Sequence, residues 1–255
     1  MMNLPHRLDR TLVIHARPET VFTFFTQSAE WASWWGPGST IDPRPGGRLL
    51  IRHPNGVEVL GEVLDVRAPE RIVFTYGFAS GTPIPPGSSR VTIRLEPHAE
   101  GTVLRLVHEF GEEGVRDEHV QGWRYQLSLF ANLVANMVNA DAAAAIDRWF
   151  GAWSEPDAAA RARALDDLVS REVRFRDRFS TVAGRDDLDA QLAAVHRFMP
   201  GMRLERRGAV RHCQWHALAD WVGVGADGEP RGQGTNLFVF DAEGRIAAVT
   251  GFWTA

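Results

Sequence analysis

The chain has 255 residues, too many for one ordinary domain and enough for two. Hydrophobic residues make up 44% and charged residues 24%, which excludes a disordered, collagen-like or coiled-coil chain. The 28 basic residues, all arginine, stand against 32 acidic ones, and the net charge of −4 is shared evenly along the chain, so neither half carries the basic signature of a nucleic-acid or membrane partner.

The single cysteine, Cys213, excludes an internal disulfide and a cysteine-based zinc site, and reads as a core thiol. Met1 to Arg10 holds no apolar run of a secretory signal. Leu127–Val138, the most apolar helical stretch, is interrupted by Ser128, Asn132 and Asn136 and is too short to span a bilayer. The expectation is a cytoplasmic, bacterial-type protein, since arginine without lysine points to a GC-rich genome.

A strand pattern over Arg10–Ala16 comes first. Pro18 then sits where a helix accepts proline, with Glu19 in the first turn and Val21, Phe22, Phe24 and Phe25 as its apolar face. Ser28–Gly36, with Trp31, Trp34 and Trp35, predicts a second short helix. Five strands follow, at Arg48–His53, Val57–Val66, Arg71–Phe78, Ser89–Glu96 and Thr102–Phe110, punctuated by turn residues such as Pro54-Asn55-Gly56. Residues 115–138 predict a long helix, because Val115, His119, Trp123, Leu127, Phe130, Val134 and Val138 recur at three- or four-residue steps. A long helix gripped by a curved antiparallel sheet leaves a cavity between them.

This half resembles START-like helix-grip domains similar to the activator of heat-shock-protein-90 ATPase. The resemblance rests on Ala16-Arg-Pro-Glu-Thr-Val-Phe22, Trp34-Trp-Gly36, Asp42-Pro-Arg-Pro-Gly-Gly-Arg48, Gly61-Glu-Val63, Pro69-Glu-Arg71, Val73-Phe-Thr75, Gly101-Thr102 and Gly122-Trp123. It implies a hydrophobic-ligand binder over residues 1–138.

From residue 139 the order of elements changes. Helices at Ala143–Trp153 and Ala158–Val169 precede a short strand near Val173–Arg176 and a helix at Asp186–Phe198. Strands at Arg203–Cys213, Ala217–Gly225, Arg231–Phe240 and Ile246–Phe252 finish the chain. Helices followed by a curved meander give a cone with a pocket. Residues 139–255 resemble the nuclear transport factor 2-like superfamily, in its SnoaL-like polyketide cyclase and ketosteroid isomerase branch. The matching motifs are Val173-Arg-Phe-Arg-Asp-Arg-Phe179, Val182-Ala-Gly-Arg-Asp186, Gly234-Thr-Asn-Leu-Phe-Val-Phe-Asp-Ala-Glu-Gly-Arg-Ile246 and Gly251-Phe-Trp253. The expected fold class is therefore α+β, two cavity-forming domains in series.

Asp177 is the first candidate catalytic residue. Lying between Phe175 and Phe179, it would face an apolar pocket, where a carboxylate acts as a general base; the alternative is an ion pair with Arg176, Arg178 or Arg185. The resemblance places Asn236 at the isomerase's oxyanion-donor position and Trp149, in Arg148-Trp-Phe-Gly-Ala-Trp153, at that of its tyrosine donor. An amide donates to a developing oxyanion, but neither it nor an indole reproduces the isomerase's acidic donors, which argues against the same reaction. Asn236 shares a strand face with Phe238 and Phe240, and Asp220 alternates with Leu218 and Val222, so both are expected inward. With Trp153, Phe179 and Phe238 they make up the second half's expected pocket.

In the first half, strand alternation turns His108 and Tyr76 inward, and His119 shares the helical stripe of Trp123. These four, with Trp34 and Trp35 at the mouth, would bind a polar-tipped hydrophobic ligand. The spacing of His196, His212 and His216 fits no metal motif, and no residue pattern calls for a cofactor. The sequence thus predicts binding of a small hydrophobic, polyketide-like molecule and its acid–base conversion by cyclisation, isomerisation or hydrolysis. Rival readings are a non-catalytic carrier or sensor and a chaperone ATPase partner. The resemblance of the second half also implies a homodimer through its sheet.

Overall fold

The chain divides near the end of its longest helix into two units, one reaching to Ala135 and the other starting at Asn136. The computed structural model describes residues 3–254.

In the first unit β1 (His6–Ile14) leads through α1 (Pro18–Thr23) and α2 (Ser28–Trp35) into β2 (Thr40–Ile41), β3 (Arg48–Arg52), β4 (Glu58–Arg67), β5 (Arg71–Phe78), β6 (Ser89–His98) and β7 (Gly101–Phe110). The strands form one antiparallel sheet in the order β1-β7-β6-β5-β4-β3-β2, and α3 (Glu113–Val138) completes the unit. Pro18 opens α1 with Glu19 in its first turn, because a proline there loses no hydrogen bond and a carboxylate complements the helix dipole. The β3–β4 turn is set by Asn55, whose Oδ1 accepts the Val57 N–H at 3.2 Å, and by Gly56, whose φ of +85° a side chain would oppose.

The space that α3 and the sheet enclose is largely filled by rings. Phe130 of α3 stacks on Phe25 at 5.1 Å and meets Phe24 and Trp34 edge-on at 5.6 and 5.0 Å. Trp31 lies edge-on to Trp34 and to Phe74 at 5.5 and 5.8 Å. These side chains are fully buried, and each ring of this kind contributes roughly 2–3 kcal/mol by leaving water.

The second unit runs α4 (Ala142–Ser154), α5 (Ala158–Leu168), β8 (Val169–Arg176), β9 (Thr181–Ala183), α6 (Arg185–Phe198), β10 (Arg203–Cys213), β11 (His216–Val224), β12 (Pro230–Phe240) and β13 (Ile246–Thr254). Its sheet has the order β10-β11-β12-β13-β8-β9, antiparallel except for the β13–β8 pair. This α+β architecture matches the expected fold class. The buried stripe of α4, Ala142, Ala145, Ile146, Trp149, Phe150 and Trp153, repeats at three- and four-residue steps. Polar ties fix α4 to β10: Arg206 pairs with Asp147 at 2.6 Å, and Ser154 Oγ accepts the Leu204 N–H at 3.2 Å. Asp157 caps α5 by accepting the Ala160 N–H at 2.7 Å. The buried Arg161 joins α5 to α6 by pairing with Asp189 at 2.6 Å and also donates to the Glu155 carbonyl, so its charge is not left bare.

Two strands escape the sequence pattern, β2 and β9, with two and three residues. Cys213 is exposed rather than in the core, because it ends β10 opposite the exposed His216. Among the described residues no single helix is long and apolar enough to cross a membrane.

Candidate functional site

The second unit holds a cavity of about 420 Å³. Its walls are mostly apolar, with Trp153, Phe175, Val195, Met202, Leu204, Trp221 and Trp253 among them. Against this background the polar side chains are few: Asp177, Ser180, Gln191, Asn236 and Arg231. Such a lining is characteristic of a small-molecule site.

Asp177 follows the last residue of β8 in a tight turn, with its N–H donating to the Ser180 carbonyl at 2.9 Å. Its Oδ1 accepts the Phe179 N–H at 2.8 Å, and its Oδ2 accepts Trp253 Nε1–H at 3.1 Å. The expected rival arrangement, an ion pair, is not formed among the described residues. Arg185 pairs with Asp166, and the Arg178 guanidinium lies 5.0 Å from the Phe179 ring centre. The half-buried carboxylate therefore has one protein donor on each oxygen and lone pairs to spare.

Asn236 comes from the inward face of β12 and is only 5% exposed. Its Oδ1 accepts Trp221 Nε1–H at 2.9 Å. An indole N–H only donates, so the amide is oriented without ambiguity and Nδ2 points away from the indole. Among the described residues Nδ2 has no protein partner, and it is not sealed from the cavity. Gly251 lies between the two polar groups. A Cβ there would stand 3.1 Å from Asn236 Oδ1 and 3.2 Å from Asp177 Cβ, so a side chain would press on both. The two indoles meet edge to face, 4.8 Å apart at 85°, so each braces the other while holding one polar residue.

Trp153 lines the cavity with its ring, although its Nε1 is shut away without a partner. Phe179 is 69% exposed and stands at the lip, edge-on to Trp253 at 5.1 Å. Three expectations are corrected. Trp149 is fully buried against Phe175 and Phe238, its Nε1 has no partner and the residue does not reach the cavity, so it is no donor there. Phe238 is likewise core, edge-on to Trp149 and Phe150. Asp220 faces the other side of the sheet, where it accepts from Thr235 Oγ1 at 2.6 Å and pairs with Arg211 at 3.2 Å. The inward residues of β11 are Ala217, Ala219 and Trp221. Trp221 and Trp253, with the polar Ser180, Gln191 and Arg231, are among the site residues that sequence reasoning missed, although the Gly251-Phe-Trp253 motif and the richness in tryptophan drew attention to the region.

The first unit holds a separate cavity of about 390 Å³ lined by Trp35, Tyr76, His119, Trp123 and Gln126, with His53, Pro54 and Asn55 of the β3–β4 turn. Two expected lining residues lie elsewhere. Trp34 is core and donates its indole N–H to the Phe24 carbonyl at 3.1 Å, because only one of two adjacent helix positions can face the opening. His108 is fully buried and satisfied. Trp123 Nε1–H donates to its Nδ1 at 2.9 Å, so Nε2 carries the proton toward Ser89 Oγ at 2.8 Å, and Ser89 donates to the Tyr76 carbonyl. Burial, and then the nearby His119, hold the His108 pKa well below the ordinary histidine range. His119 has its Nδ1 on the Val115 carbonyl at 2.8 Å and its Nε2 shut away; burial lowers its pKa too.

Residues 15–135 match the family described as activator of Hsp90 ATPase homolog 1-like protein, which bears out the resemblance of the first half. No curated protein matches the chain. Among solved structures, a SnoaL-like family protein from Agrobacterium tumefaciens is 23% identical with a TM-score of 0.43, covering 44% of this chain and 96% of its own. A protein from Mesorhizobium loti is 23% identical with a TM-score of 0.46, covering 51% and 96%. One from Chromobacterium violaceum is 25% identical with a TM-score of 0.43, covering 51% and 98%. Likenesses of this degree carry no argument about chemistry, which rests on the side chains of the cavities.

Proposed function

We propose that the second unit binds a small hydrophobic, polyketide-like carbonyl compound and converts it by acid–base chemistry, an isomerisation or a cyclisation. The observation that carries this reading is the free Asn236 Nδ2–H beside the Asp177 carboxylate in a mostly apolar cavity. Asp177 takes a proton from the carbon next to the substrate carbonyl. The electron pair of that C–H bond moves onto the carbonyl oxygen, and Asn236 Nδ2–H donates to the enolate oxygen as its charge develops. In an isomerisation Asp177 returns the proton to another carbon of the enolate. In a cyclisation the enolate carbon bonds a second carbonyl of the same molecule, whose oxygen then takes the proton.

The test uses 2-tetralone, a small aromatic ketone, in deuterated buffer. Wild-type protein is expected to speed loss of its C1 proton signal in NMR, and Asp177→Asn to lose roughly 100- to 10,000-fold of that acceleration while still binding the ketone. Exchange at equal rates in both proteins would overturn the reading. Binding without any exchange would favour the carrier reading, to which the apolar lining lends itself equally.

A further inference from the structure

We propose that Arg231 is a specificity residue of the second unit's cavity, binding a carboxylate that the substrate carries at the end away from its reacting carbonyl. The inference rests on the acid–base reading for where that carbonyl lies. It narrows the substrate to a flat ring ketone that is also an acid.

Strand alternation on β12 puts Gly232, Gly234 and Asn236 inward and would turn Arg231 out. Arg231 is instead part of the cavity wall. A bulge is the reason. Gly223 pairs with Gly232 but Val224 pairs with Pro230, so Arg231 has no place in the β11–β12 ladder and its side chain is re-aimed. The turn between these strands then braces it. Asp227 Oδ1 accepts the Glu229 N–H at 3.1 Å, and Asp227 Oδ2 accepts from Arg231 Nη2. Gly225 leaves room for the pair, since a Cβ there would stand 2.7 Å from Arg231 Nε and 2.8 Å from Asp227 Oδ1. Among the described residues Asp227 is the guanidinium's only hydrogen-bond partner, so most of its N–H donors are left for a ligand.

Asp177 and Arg231 are the charged residues of this wall, and among the described residues they do not pair with each other. The Trp253 indole lies between them. Its Nε1–H is on Asp177 at 3.1 Å, and its far edge takes the space of a Cβ on Gly232, which would stand 2.6 Å from Cζ3. A Cβ on Gly234 would likewise press on Trp221, 2.9 Å from Cζ2. Bare backbone thus lets both indoles lie close to β12 as wall for a flat ligand. At about 3.3 Å per residue, Asn236 stands roughly 13 Å from Gly232 along the strand, a span suited to fused rings with a substituent. The ketone end meets Asp177 and Asn236, where a second negative charge would be repelled. The carboxylate end meets a cation whose planar fork matches it.

Full-length protein is titrated calorimetrically with 2-tetralone-6-carboxylate and with its methyl ester, which has the same rings and no charge. Wild type is expected to bind the acid about fivefold more tightly than the ester, because Asp227 and solvent offset part of the attraction. In Arg231→Gln the two affinities should become equal, and in Arg231→Glu the ester should bind more tightly. The Arg231 side chain is 52% exposed, so both variants should fold. An acid no tighter than the ester in wild type, or a preference for the acid that survives in either variant, would overturn the inference. Loss of the C1 proton signal in deuterated buffer is followed with the same compounds. Arg231-dependent binding of the acid without exchange leaves this inference standing and sinks the acid–base reading. Exchange of acid and ester alike, with equal binding, does the reverse.

Discussion

Both units bury tryptophans around a cavity, but they use the indole N–H differently. In the first unit Trp31, Trp34 and Trp123 donate to the Leu50 carbonyl, the Phe24 carbonyl and His108 Nδ1, all neutral acceptors within the fold. In the second unit Trp221 and Trp253 donate to Asn236 and Asp177, two of the polar groups that line the cavity. The first set satisfies the core; the second orients polar groups in the cavity wall. What decides between the two uses is the acceptor that the neighbouring strand or turn presents, which is why counting tryptophans does not locate a site.

Exchanging one indole in each unit breaks or sharpens this contrast with the largest expected effect. Trp253→Phe keeps a ring against Trp221 and Phe179 but removes one donor from Asp177. A hydrogen bond to a charged group is worth roughly 1.5–3 kcal/mol, so 2-tetralone exchange should slow about 10- to 100-fold at saturating ketone, with binding nearly kept. That split marks Trp253 as a positioning residue. Trp123→Phe should leave the exchange alone and instead cost about 1–3 kcal/mol of stability, because it strands His108 Nδ1 in the core. Equal exchange rates in wild type and Trp253→Phe would show that the indole contact is packing alone.

Long, strongly patterned elements were legible in the sequence, among them α3, α4 and the meander strands, whose periods survive into the structure. β2 and β9 were not, since two or three residues carry no period. Asp220 shows how a face is misread. Leu218 and Val222 are bulkier than Ala217 and Ala219, yet the inward face is the one with the alanines, and the larger aliphatics lie on the outer face. The site was half legible for the same reason. Asp177 and Asn236 sit at positions with a recognisable motif, whereas the hydrogen bond of Trp221 depends on the β11–β12 register and that of Trp253 on the β13–β8 register. Among Trp31, Trp34 and Trp35, helical spacing puts all three near one face and does not say which ring reaches the opening.

Acid sharpens the comparison through histidine. An unfolded chain takes up a proton at His108 near the ordinary value of 6.5, whereas the folded chain refuses it until a much lower pH. The stability owed to its neutral form is therefore full above pH 6.5 and is lost progressively as pH falls below it, by at most about 1.4 kcal/mol per pH unit for one proton. His196 and His212 of the second unit are also lowered, chiefly by burial, but both are partly open to solvent, so their share is smaller. Urea midpoints between about pH 8 and 5 should fall for wild type, and His108→Gln should flatten that slope at the cost of a lower midpoint at neutral pH. An identical slope in the variant would remove His108 as the source.

The smallest effects come from two glycines at matched places. Gly122 in α3 and Gly151 in α4 are exposed, helical, and have nothing within 4 Å of a would-be Cβ. Alanine at either reduces the freedom of the unfolded chain and fits the folded one, so each substitution should add about 0.5–1 kcal/mol to the stability of its own unit. Gly151→Ala should leave 2-tetralone exchange untouched, because residue 151 lies outside both cavities. Gly122→Ala adds a methyl at the edge of the first cavity, and a methyl is far too small to close a space of about 390 Å³. A loss of stability in Gly122→Ala would therefore not come from crowding around the new methyl, and the contrast between a packing unit and a chemical unit would have to be redrawn around α3.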